Sequence, residues 1–255
     1  MEMKRTFFIL ISLVAFATTA TAQATRVIAH RGFWNCEGSA QNSIASLTRA
    51  DQAGCYGSEF DVQFTLDSVL VVNHDDDLQG RVIAQTPYDE LRKLPLANGE
   101  PMPTLQDYLE TARPLSVRLI LEIKPLATKA VEDEAAQKAV TLVRQVGLEH
   151  RVDYISFSLN VCQLLAQLTP ASSIAYLSGD IEPADLKAMG INGIDYRYTV
   201  LQQNPEWVQA AHDIGMTVNT WTVNSPNEIS QMASLGVDFI TTDNPIEALE
   251  ILHDP

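Results

Sequence analysis

Residues 217–242, TVNTWTVNSPNEISQMASLGVDFITT, contain the repeating unit from which this chain is built. Thr217–Val223 and Asp238–Thr242 are rich in β-forming residues, and Asn227–Leu235 between them has helical periodicity. A helix between two strands carries the chain back to the end of the sheet where the first strand began, so the two strands lie parallel. A tight turn, in contrast, joins antiparallel strands. The stretch therefore predicts a parallel sheet whose strands are separated by helices.

The same alternation covers most of the chain. Six further strand candidates precede this unit, namely Val27–His30, Ser58–Gln63, Leu119–Lys124, Asp153–Ser158, Ser173–Leu177 and Gly193–Tyr196. Most of them are followed by a helical segment such as Lys129–Val146. Eight strands alternating with helices favour an α/β fold of the TIM (β/α)8 barrel type. A doubly wound open sheet is the alternative, although no GxGxxG follows the first strand.

One strand-like segment interrupts the alternation. Val69–Val72 follows the second strand too closely for a helix, so we predict a hairpin that turns at Asp67-Ser68. A two-residue turn would place His74 directly opposite Asp61, on the face that Asp61 shares with Glu59. This register is a prediction that a slip of one residue would remove.

The segment that follows the hairpin contains no barrel element. Residues 75–103 include one predicted short helix, Pro87–Lys93, and a loop rich in Gly and Pro. We predict that they form a small insertion over the mouth of the barrel. Thr104 is then expected to cap the helix Leu105–Ala112.

The N-terminus has the pattern of a secretory signal peptide. Lys4 and Arg5 precede the apolar run Phe7–Ala17, and Ala20–Ala22 has the small-x-small pattern of a cleavage site. We therefore predict a signal peptide at 1–22, a barrel domain at 23–255 and a periplasmic or secreted product. The alternative is an uncleaved membrane anchor, although the apolar run is shorter than the stretch of about 20 residues that a transmembrane helix needs.

The charge of the chain limits its partners. The formal net charge is −15, so the surface should repel nucleic acid and anionic membranes, and we expect no stable membrane insertion. A phosphate-bearing small molecule would have to be met by a local cation. The three cysteines Cys36, Cys55 and Cys162 leave at least one thiol free, and nothing predicts a disulfide. The sequence does not indicate an oligomeric state.

Three carboxylates are expected at the carboxyl ends of neighbouring strands, where barrel enzymes carry their active sites. Glu59 and Asp61 lie on the second strand, and Glu122 lies on the third. Like charges at this density require a neutralising partner. Mg²⁺ or Ca²⁺ would supply one, because both ions prefer oxygen ligands. Pairing with Arg31, Lys124 or solvent is the structural alternative.

Two histidines and two cations accompany these carboxylates. His30 ends the first strand and His74 follows the hairpin, and imidazole titrates near neutrality, so each is a candidate acid or base. Arg31 and Lys124 are candidates to bind phosphate oxygens, and Trp221 ends the seventh strand beside them. The combination suits attack at phosphorus, although each histidine taken alone could be a hydrogen-bonded structural residue.

These residues form an ordered series of motifs. The series consists of HRG at 30–32, ExD at 59–61, HD at 74–75, EPMPTLQDYLE at 100–110, LEIKP at 121–125, SFS at 156–158, WTVN at 221–224 and GVDFITTDNP at 236–245. Over nearly all of residues 23–255 the chain resembles the glycerophosphodiester phosphodiesterases of the PI-PLC-like superfamily.

The resemblance implies a (β/α)8 barrel and an enzyme that hydrolyses glycerophosphodiesters to sn-glycerol 3-phosphate and an alcohol. It implies that Glu59, Asp61 and Glu122 bind the metal and that His30 and His74 act as general acid and base. In such enzymes the glycerol hydroxyl of the substrate can attack phosphorus first, giving a cyclic phosphate that water then opens.

The chain departs from the family pattern at two places. Gln41-Asn42-Ser43 stands where the family usually has Glu-Asn-Thr, so position 41 loses a charge near the expected metal. The loop after His74 lacks the family's common run of Arg and Gly, which leaves the leaving alcohol undetermined. Phe33 and Trp34 are expected to line the pocket together with Trp221.

Two other functions remain open from the sequence alone. One is cleavage of an intact lipid, as by phospholipases or sphingomyelinases of the D type, which would favour an exposed apolar rim at the barrel mouth. The other is a barrel that binds phosphodiesters without turnover, for which Gln41 is the only argument.

Overall fold

Eight parallel strands form a closed barrel in the computed structural model, which describes residues 24–253. The predicted signal peptide lies outside the described residues. The first barrel strand, Arg26–Ala29, pairs with the last, Phe239–Thr242, and also with the second, so the sheet has no open edge. The predicted TIM barrel is confirmed, and the doubly wound open sheet is excluded.

The strands in chain order are β1 (Arg26–Ala29), β2 (Gly57–Phe64), β3 (Leu70–Val72), β4 (Asp77–Leu78), β5 (Arg81–Val82), β6 (Arg118–Ile123), β7 (Val152–Ser156), β8 (Ile174–Tyr176), β9 (Gly193–Arg197), β10 (Thr217–Trp221) and β11 (Phe239–Thr242). The barrel contains all of these except β3, β4 and β5. Each predicted barrel strand is present, with ends that differ from the prediction by at most two residues.

The helices are α1 (Ile44–Gln52), α2 (Tyr88–Leu91), α3 (Leu105–Ala112), α4 (Lys129–Val146), α5 (Leu159–Leu168), α6 (Pro183–Ala188), α7 (Tyr198–Gln203), α8 (Glu206–Asp213), α9 (Pro226–Leu235) and α10 (Pro245–His253). The predicted cap of α3 is confirmed, because Thr104 Oγ1 accepts a hydrogen bond from Asp107 N (3.0 Å). Within residues 24–253, none of these helices has both the length and the apolar character needed to cross a bilayer.

Alternation along each barrel strand separates the core from the site. On β6, Leu121 and Ile123 pack outward into the main hydrophobic cluster beneath the helices. Ile120 packs into a separate cluster with Ile155, and Glu122 is buried among polar neighbours. Successive side chains on a strand point to opposite faces, so Ile120 and Glu122 both point into the barrel. The polar groups of the site therefore occupy the inward positions.

The predicted hairpin after the second strand is present, but its predicted register is wrong by one residue. Val62 of β2 pairs with Val72 of β3. The next position therefore brings Asn73 beside Asp61, whose carbonyl oxygen accepts a hydrogen bond from Asn73 N (3.0 Å). His74 lies beyond the end of β3 and does not stand opposite Asp61.

The cause of the slip is the length of the turn. The loop has three residues instead of two, because Thr65 N donates to Val69 O (3.0 Å) and closes the ladder there. Ser68, the last loop residue, has a φ of 58°. A three-residue hairpin loop commonly ends in one left-handed residue of this kind, and an Asp-Ser pair in the sequence does not distinguish it from a two-residue turn.

The predicted insertion after the second strand is present between β3 and α3. It contains the hairpin of β4 and β5, a 3-10 turn at Ile83–Gln85 and α2. The insertion has a small core of its own, in which Ile83, Leu91 and Met102 are buried against Val71 of β3. The small β-hairpin was not predicted, because each of its strands has only two residues and is largely exposed.

Candidate active site

The register of two neighbouring strands brings the three predicted metal ligands together. Asp61 of β2 pairs with Glu122 of β6, and Glu59 lies two residues earlier on the same face of β2. One oxygen from each of the three side chains lies within 4.8 Å of the others, and all three residues are buried. A parallel pair of strands with carboxylates at matched inward positions therefore produces the cluster directly.

The three carboxylates strongly affect one another's ionisation. Burial, and then the charges of Asp61 and Glu122, raise the pKa of Glu59 well above its usual range. Burial and the charge of Asp61 also raise the pKa of Glu122. Burial opposes ionisation of Asp61 as well, but Lys124, His74 and Asn42 together outweigh it and lower its pKa. In the absence of a bound cation, Asp61 is thus the first of the three to ionise.

Lys124 and Arg31 lie against this cluster. Lys124 Nζ is 3.1 Å from Glu122 Oε1 and 3.4 Å from Asp61 Oδ1. Arg31 Nε is 3.8 Å from Asp61 Oδ2, and Arg31 N donates to Glu59 Oε2 (2.7 Å). Glu59 Oε1 is buried and has no hydrogen-bond partner among the described residues. The chain itself therefore supplies two positive charges for three carboxylates.

His30 is held by a carboxylate behind it. Its Nδ1 lies 2.8 Å from Asp243 Oδ1, which also accepts a hydrogen bond from Trp34 Nε1 (3.0 Å). Burial would raise the pKa of Asp243, but the bonds from His30, Asn224 and Trp34 outweigh it and lower this pKa to about 2. Asp243 stays ionised and fixes the imidazole through Nδ1, so that Nε2 is available for proton exchange.

His74 reaches the same cavity although its predicted register is wrong. Gln63 Nε2 donates to the carbonyl oxygens of Asn73 (3.0 Å), His74 (3.0 Å) and Asp75 (2.8 Å), which fixes the chain after β3. His74 Nδ1 lies 2.7 Å from Asp75 Oδ1. Burial, with Lys124 and Arg31, lowers the pKa of His74 despite the opposing effect of its carboxylate neighbours.

The loop after β1 supports the cluster through Asn42. Its Nδ2 donates to Asp61 Oδ2 (2.9 Å), and its Oδ1 accepts from Asp61 N (3.1 Å), so this residue fixes both ends of Asp61. Gln41, the departure from the family pattern, accepts a hydrogen bond from Arg31 Nη1 (2.7 Å) and is exposed. Gln41 therefore contacts the cluster only through Arg31, which lies 3.8 Å from Asp61 Oδ2.

Gly32 is required by the turn and by packing. Its φ is 74°, its N donates to Glu59 O (2.9 Å), and a Cβ built there would overlap the side chain and backbone of Ser46. We expect Gly32→Ala to lower the free energy of unfolding by about 2 kcal/mol or more. Gly38→Ala is the matched control, because Gly38 has a φ of 75° with nothing within 4 Å. Equal losses in chemical denaturation of the two variants would contradict the steric argument.

A cavity of about 90 Å³ lies above the carboxylate cluster. All of its lining comes from inward positions, strand ends and the loops that follow them, and it includes His30, Arg31, His74, Lys124 and Trp221. The structure thus brings the predicted acid–base, phosphate-binding and metal-binding residues around one space. The opposite wall is apolar and contains Ile155 and Leu177.

The aromatic wall of the cavity differs from the prediction. Trp221 packs edge-on against Phe157, with ring centroids 5.5 Å apart, and both line the cavity. Phe33 and Trp34 do not line it, so that prediction is wrong. Phe33 packs against the small cluster that includes buried Cys55, and Trp34 Nε1 donates a hydrogen bond to Asp243 Oδ1. Phe157 stands in the SFS motif at an inward position, a signal that period-two alternation would have given.

Asp195 is a second residue that the sequence analysis missed. It lies on β9 at the floor of the cavity, is buried, and has one oxygen, Oδ1, with no hydrogen-bond partner among the described residues. Its other oxygen accepts from Asn219 Nδ2 (2.9 Å). Burial raises its pKa to about 7, so near neutrality a large share of this group is a neutral acid.

Known proteins share both the sequence pattern and this architecture. The model of the glycerophosphoryl diester phosphodiesterase family matches residues 30–247. The chain belongs to this family. A glycerophosphodiester phosphodiesterase from Caldanaerobacter subterraneus is 28% identical over 243 residues, which cover 90% of this chain and 98% of that relative. Membership makes the chain an enzyme, a phosphoric diester hydrolase of the glycerophosphodiester type.

Solved structures agree with this membership. The crystal structure of a glycerophosphodiester phosphodiesterase from Parabacteroides distasonis has a TM-score of 0.89 and 50% sequence identity, covering 91% of this chain and 98% of that one. A phosphodiesterase from Oleispira antarctica, solved in complex with the product sn-glycerol-3-phosphate, has a TM-score of 0.79 and 25% identity, covering 90% of this chain and 97% of that one.

Proposed function

We propose that this enzyme uses a divalent metal to hydrolyse glycerophosphodiesters to sn-glycerol 3-phosphate and an alcohol, with His30 and His74 as its general acid and base. The observation that carries the proposal is the position of both histidines, two cations and three carboxylates around one cavity. The sn-glycerol-3-phosphate bound to the Oleispira antarctica relative supports the product that we assign.

The carboxylate cluster fits a hard divalent cation. Glu59, Asp61 and Glu122 supply only oxygen ligands, which Mg²⁺ and Ca²⁺ prefer. Glu59 Oε1 is buried without a hydrogen-bond partner among the described residues, an expense of free energy that a bound cation would remove. When bound, the metal would polarise a phosphoryl oxygen and offset negative charge. This donor set suits both Mg²⁺ and Ca²⁺.

Arg31 and Lys124 are proposed to bind the phosphate. Both side chains line the cavity beside the carboxylates, and both are largely buried, so their charges are only weakly screened. Trp221 and Phe157 form an apolar wall of the same cavity, with Lys124 Nζ 5.9 Å from the centroid of the Phe157 ring, and the carbon chain of the glycerol would pack against this wall. The wall also excludes water from that side, which strengthens the hold of the cations on the phosphate.

The two histidines share the proton transfers. Each ring is fixed through Nδ1 by a carboxylate, His30 by Asp243 and His74 by Asp75, so that each can exchange a proton at Nε2. One imidazole takes the proton from the glycerol hydroxyl that attacks phosphorus, and the other donates a proton to the oxygen of the departing alcohol, which leaves a cyclic phosphate. The two rings then exchange roles while water opens the cyclic phosphate to sn-glycerol 3-phosphate, and both return to their starting protonation states. A pair of neutral and protonated imidazoles balances these two transfers.

A substrate panel tests the proposal. Purified enzyme would be incubated with glycerophosphodiesters, lysophospholipids and a sphingomyelin, and the products would be identified by mass. We expect sn-glycerol 3-phosphate from the glycerophosphodiesters, complete loss of activity in EDTA and recovery with Mg²⁺ or Ca²⁺. Turnover of the lipids alone would favour the lipid phosphodiesterase alternative. Substrate binding without any product would favour the non-catalytic barrel. Full activity after exhaustive chelation would contradict the proposed metal dependence.

We also propose that the enzyme acts outside the cytoplasm after removal of residues 1–22. The support is the order of Lys4 and Arg5, the apolar run Phe7–Ala17 and the small residues Ala20–Ala22. N-terminal sequencing of protein from a cell that secretes it should begin at Gln23. An intact N-terminus on membrane-associated protein would favour the uncleaved anchor.

A further inference from the structure

A second concavity lies beside the catalytic cavity. It is an open groove of about 760 Å³ between the loop that follows β1 and the insertion. The loop contributes Trp34, Asn35 and Gln41 to its lining, and the rest of the lining includes Asn73, Gln79 and Leu96. We call it the insertion groove. Nothing in the proposed catalytic steps uses it.

The insertion groove shares its wall with the catalytic cavity. Gln41 accepts a hydrogen bond from the proposed phosphate ligand Arg31 (2.7 Å), and Trp34 donates to Asp243, which holds His30. On the other side Asn73 directly precedes His74. If Arg31 binds the phosphate and the glycerol packs on the apolar wall of the cavity, the departing alcohol would therefore lie next to this groove.

The side-chain amides of the groove offer acceptors. Gln79 Nε2 donates to Pro95 O (2.8 Å), and Asn73 Nδ2 donates to Asp75 O (2.7 Å). Because both partners are backbone carbonyls, the nitrogen of each amide must face them, and this fixes the orientation of the amide. Gln79 Oε1 and Asn73 Oδ1 have no partner among the described residues. These oxygens accept hydrogen bonds, which suits a ligand that carries hydroxyl groups.

The lining of the groove offers no charged partner for an ionic leaving group. None of the described residues that line it is charged. Of the carboxylates just before Gln79, Asp75 pairs with His74 and Asp77 accepts from Gly80 N (2.8 Å), while Asp76 is exposed, and none of the three lines the groove. A quaternary ammonium group has no N–H to donate and is usually bound in a cage of several aromatic rings, whereas Trp34 is the only aromatic residue of this lining.

We propose that the insertion groove binds the leaving alcohol of the substrate and that this alcohol is a neutral polyol. The ring of Trp34 and the side chains of Leu78 and Leu96 would pack against the carbon skeleton of the alcohol. The amide oxygens would accept hydrogen bonds from its hydroxyl groups. The preferred substrates are then glycerophosphodiesters of glycerol or of a cyclic polyol such as inositol, not of choline or ethanolamine. This inference rests on the proposed function and adds the specificity that the catalytic cavity alone does not set.

The test is a comparison of kcat/KM for four diesters, glycerophosphoglycerol, glycerophosphoinositol, glycerophosphocholine and glycerophosphoethanolamine. We expect the two polyol diesters to be preferred about tenfold, mainly through KM, because a choline or ethanolamine group would lose two or more of these hydrogen bonds. In Gln79→Asn the side chain is one methylene group shorter, which moves its amide oxygen away from the ligand. Gln79 has a φ of 53°, which Asn tolerates, so the variant should fold.

In Gln79→Asn the ratio of polyol to choline kcat/KM should fall by about three- to tenfold. Gln137→Asn is the matched control, because Gln137 is exposed on α4, outside the groove, and its ratio should equal that of the wild type. Equal rates on all four diesters, a preference for choline, or an unchanged ratio in Gln79→Asn would overturn the groove assignment and leave the proposed function standing. Failure to hydrolyse any of the four would overturn both.

Discussion

Replacement of His30 by alanine is expected to reduce kcat by about 10²- to 10⁴-fold, the range that one positioned acid–base group contributes. The ring is fixed between the cavity and Asp243, and alanine removes the proton-exchanging nitrogen without leaving a buried charge on the cavity side. His74→Ala should have a comparable effect, because the proposed mechanism needs one proton donor and one acceptor. Steady-state kinetics on a glycerophosphodiester would measure both losses.

A matched control separates chemistry from folding. His212 forms an equivalent pair, with Nε2 3.0 Å from Asp238 Oδ2, but it lies at the end of α8, away from the cavity. We expect His212→Ala to lose stability and keep its kcat. Asp243→Asn should keep the geometry of His30 but alter the pH profile of kcat, since the carboxylate no longer stabilises the imidazolium. Near-normal turnover in His30→Ala would remove this residue from the mechanism.

The fold was predictable because its signals are local and repeated. Each strand candidate lies in a run of β-forming residues, and each inward position can be counted along its strand, so Glu59, Asp61 and Glu122 could be assigned to one face. Because β2 and β6 are parallel neighbours, these three carboxylates must lie close together, and no other contact is needed to predict it. The helix Lys129–Val146 was predicted to the residue, since Thr128 caps it and Gly147 ends it with a φ of 77°.

The parts that could not be predicted depend on contacts that are distant in sequence. The turn at Ser68 adopts a left-handed conformation that its sequence permits but does not require, and this shifted the register. His74 nevertheless reaches the cavity, because Gln63 binds three successive carbonyl oxygens after β3. Asp195 was missed for a different reason. Its raised pKa comes from burial in the barrel and not from a recognisable motif.

Glu59→Gln is expected to abolish activity and at the same time to stabilise the chelated protein. The amide keeps the shape of the side chain and can still accept from Arg31 N, as Oε2 does now (2.7 Å). It removes one ligand charge, and we expect activity to fall by more than the roughly 100-fold that an outer-shell partner costs at a metal site. It also removes a carboxyl group whose ionisation is opposed by burial and by two neighbouring carboxylates when no cation is bound.

The sign of the stability effect follows from the pKa of Glu59. Burial and the neighbouring carboxylates raise this pKa in the folded state, so the folded protein binds more protons than the unfolded chain once the pH exceeds the ordinary value for Glu. The contribution of Glu59 is complete below that value and is lost as the pH rises toward its folded pKa. In chelator, the Tm of the wild type should therefore fall between pH 5 and pH 8 more steeply than that of Glu59→Gln.

Divalent metal should reverse this order, because a cation that binds the folded cluster stabilises it in proportion to its affinity. We expect Mg²⁺ or Ca²⁺ to raise the Tm of the wild type at pH 8 and to have little effect on Glu59→Gln. Glu132→Gln is the matched control, since Glu132 is a buried carboxylate whose Oε2 is bonded by Ser158 (2.8 Å) and Asn160 (3.0 Å). That variant should lose stability at both pH values. A Glu59→Gln protein that is no more stable than the chelated wild type at pH 8 would mean that Lys124 and Arg31 already neutralise the cluster, and that the charge argument for a metal is wrong.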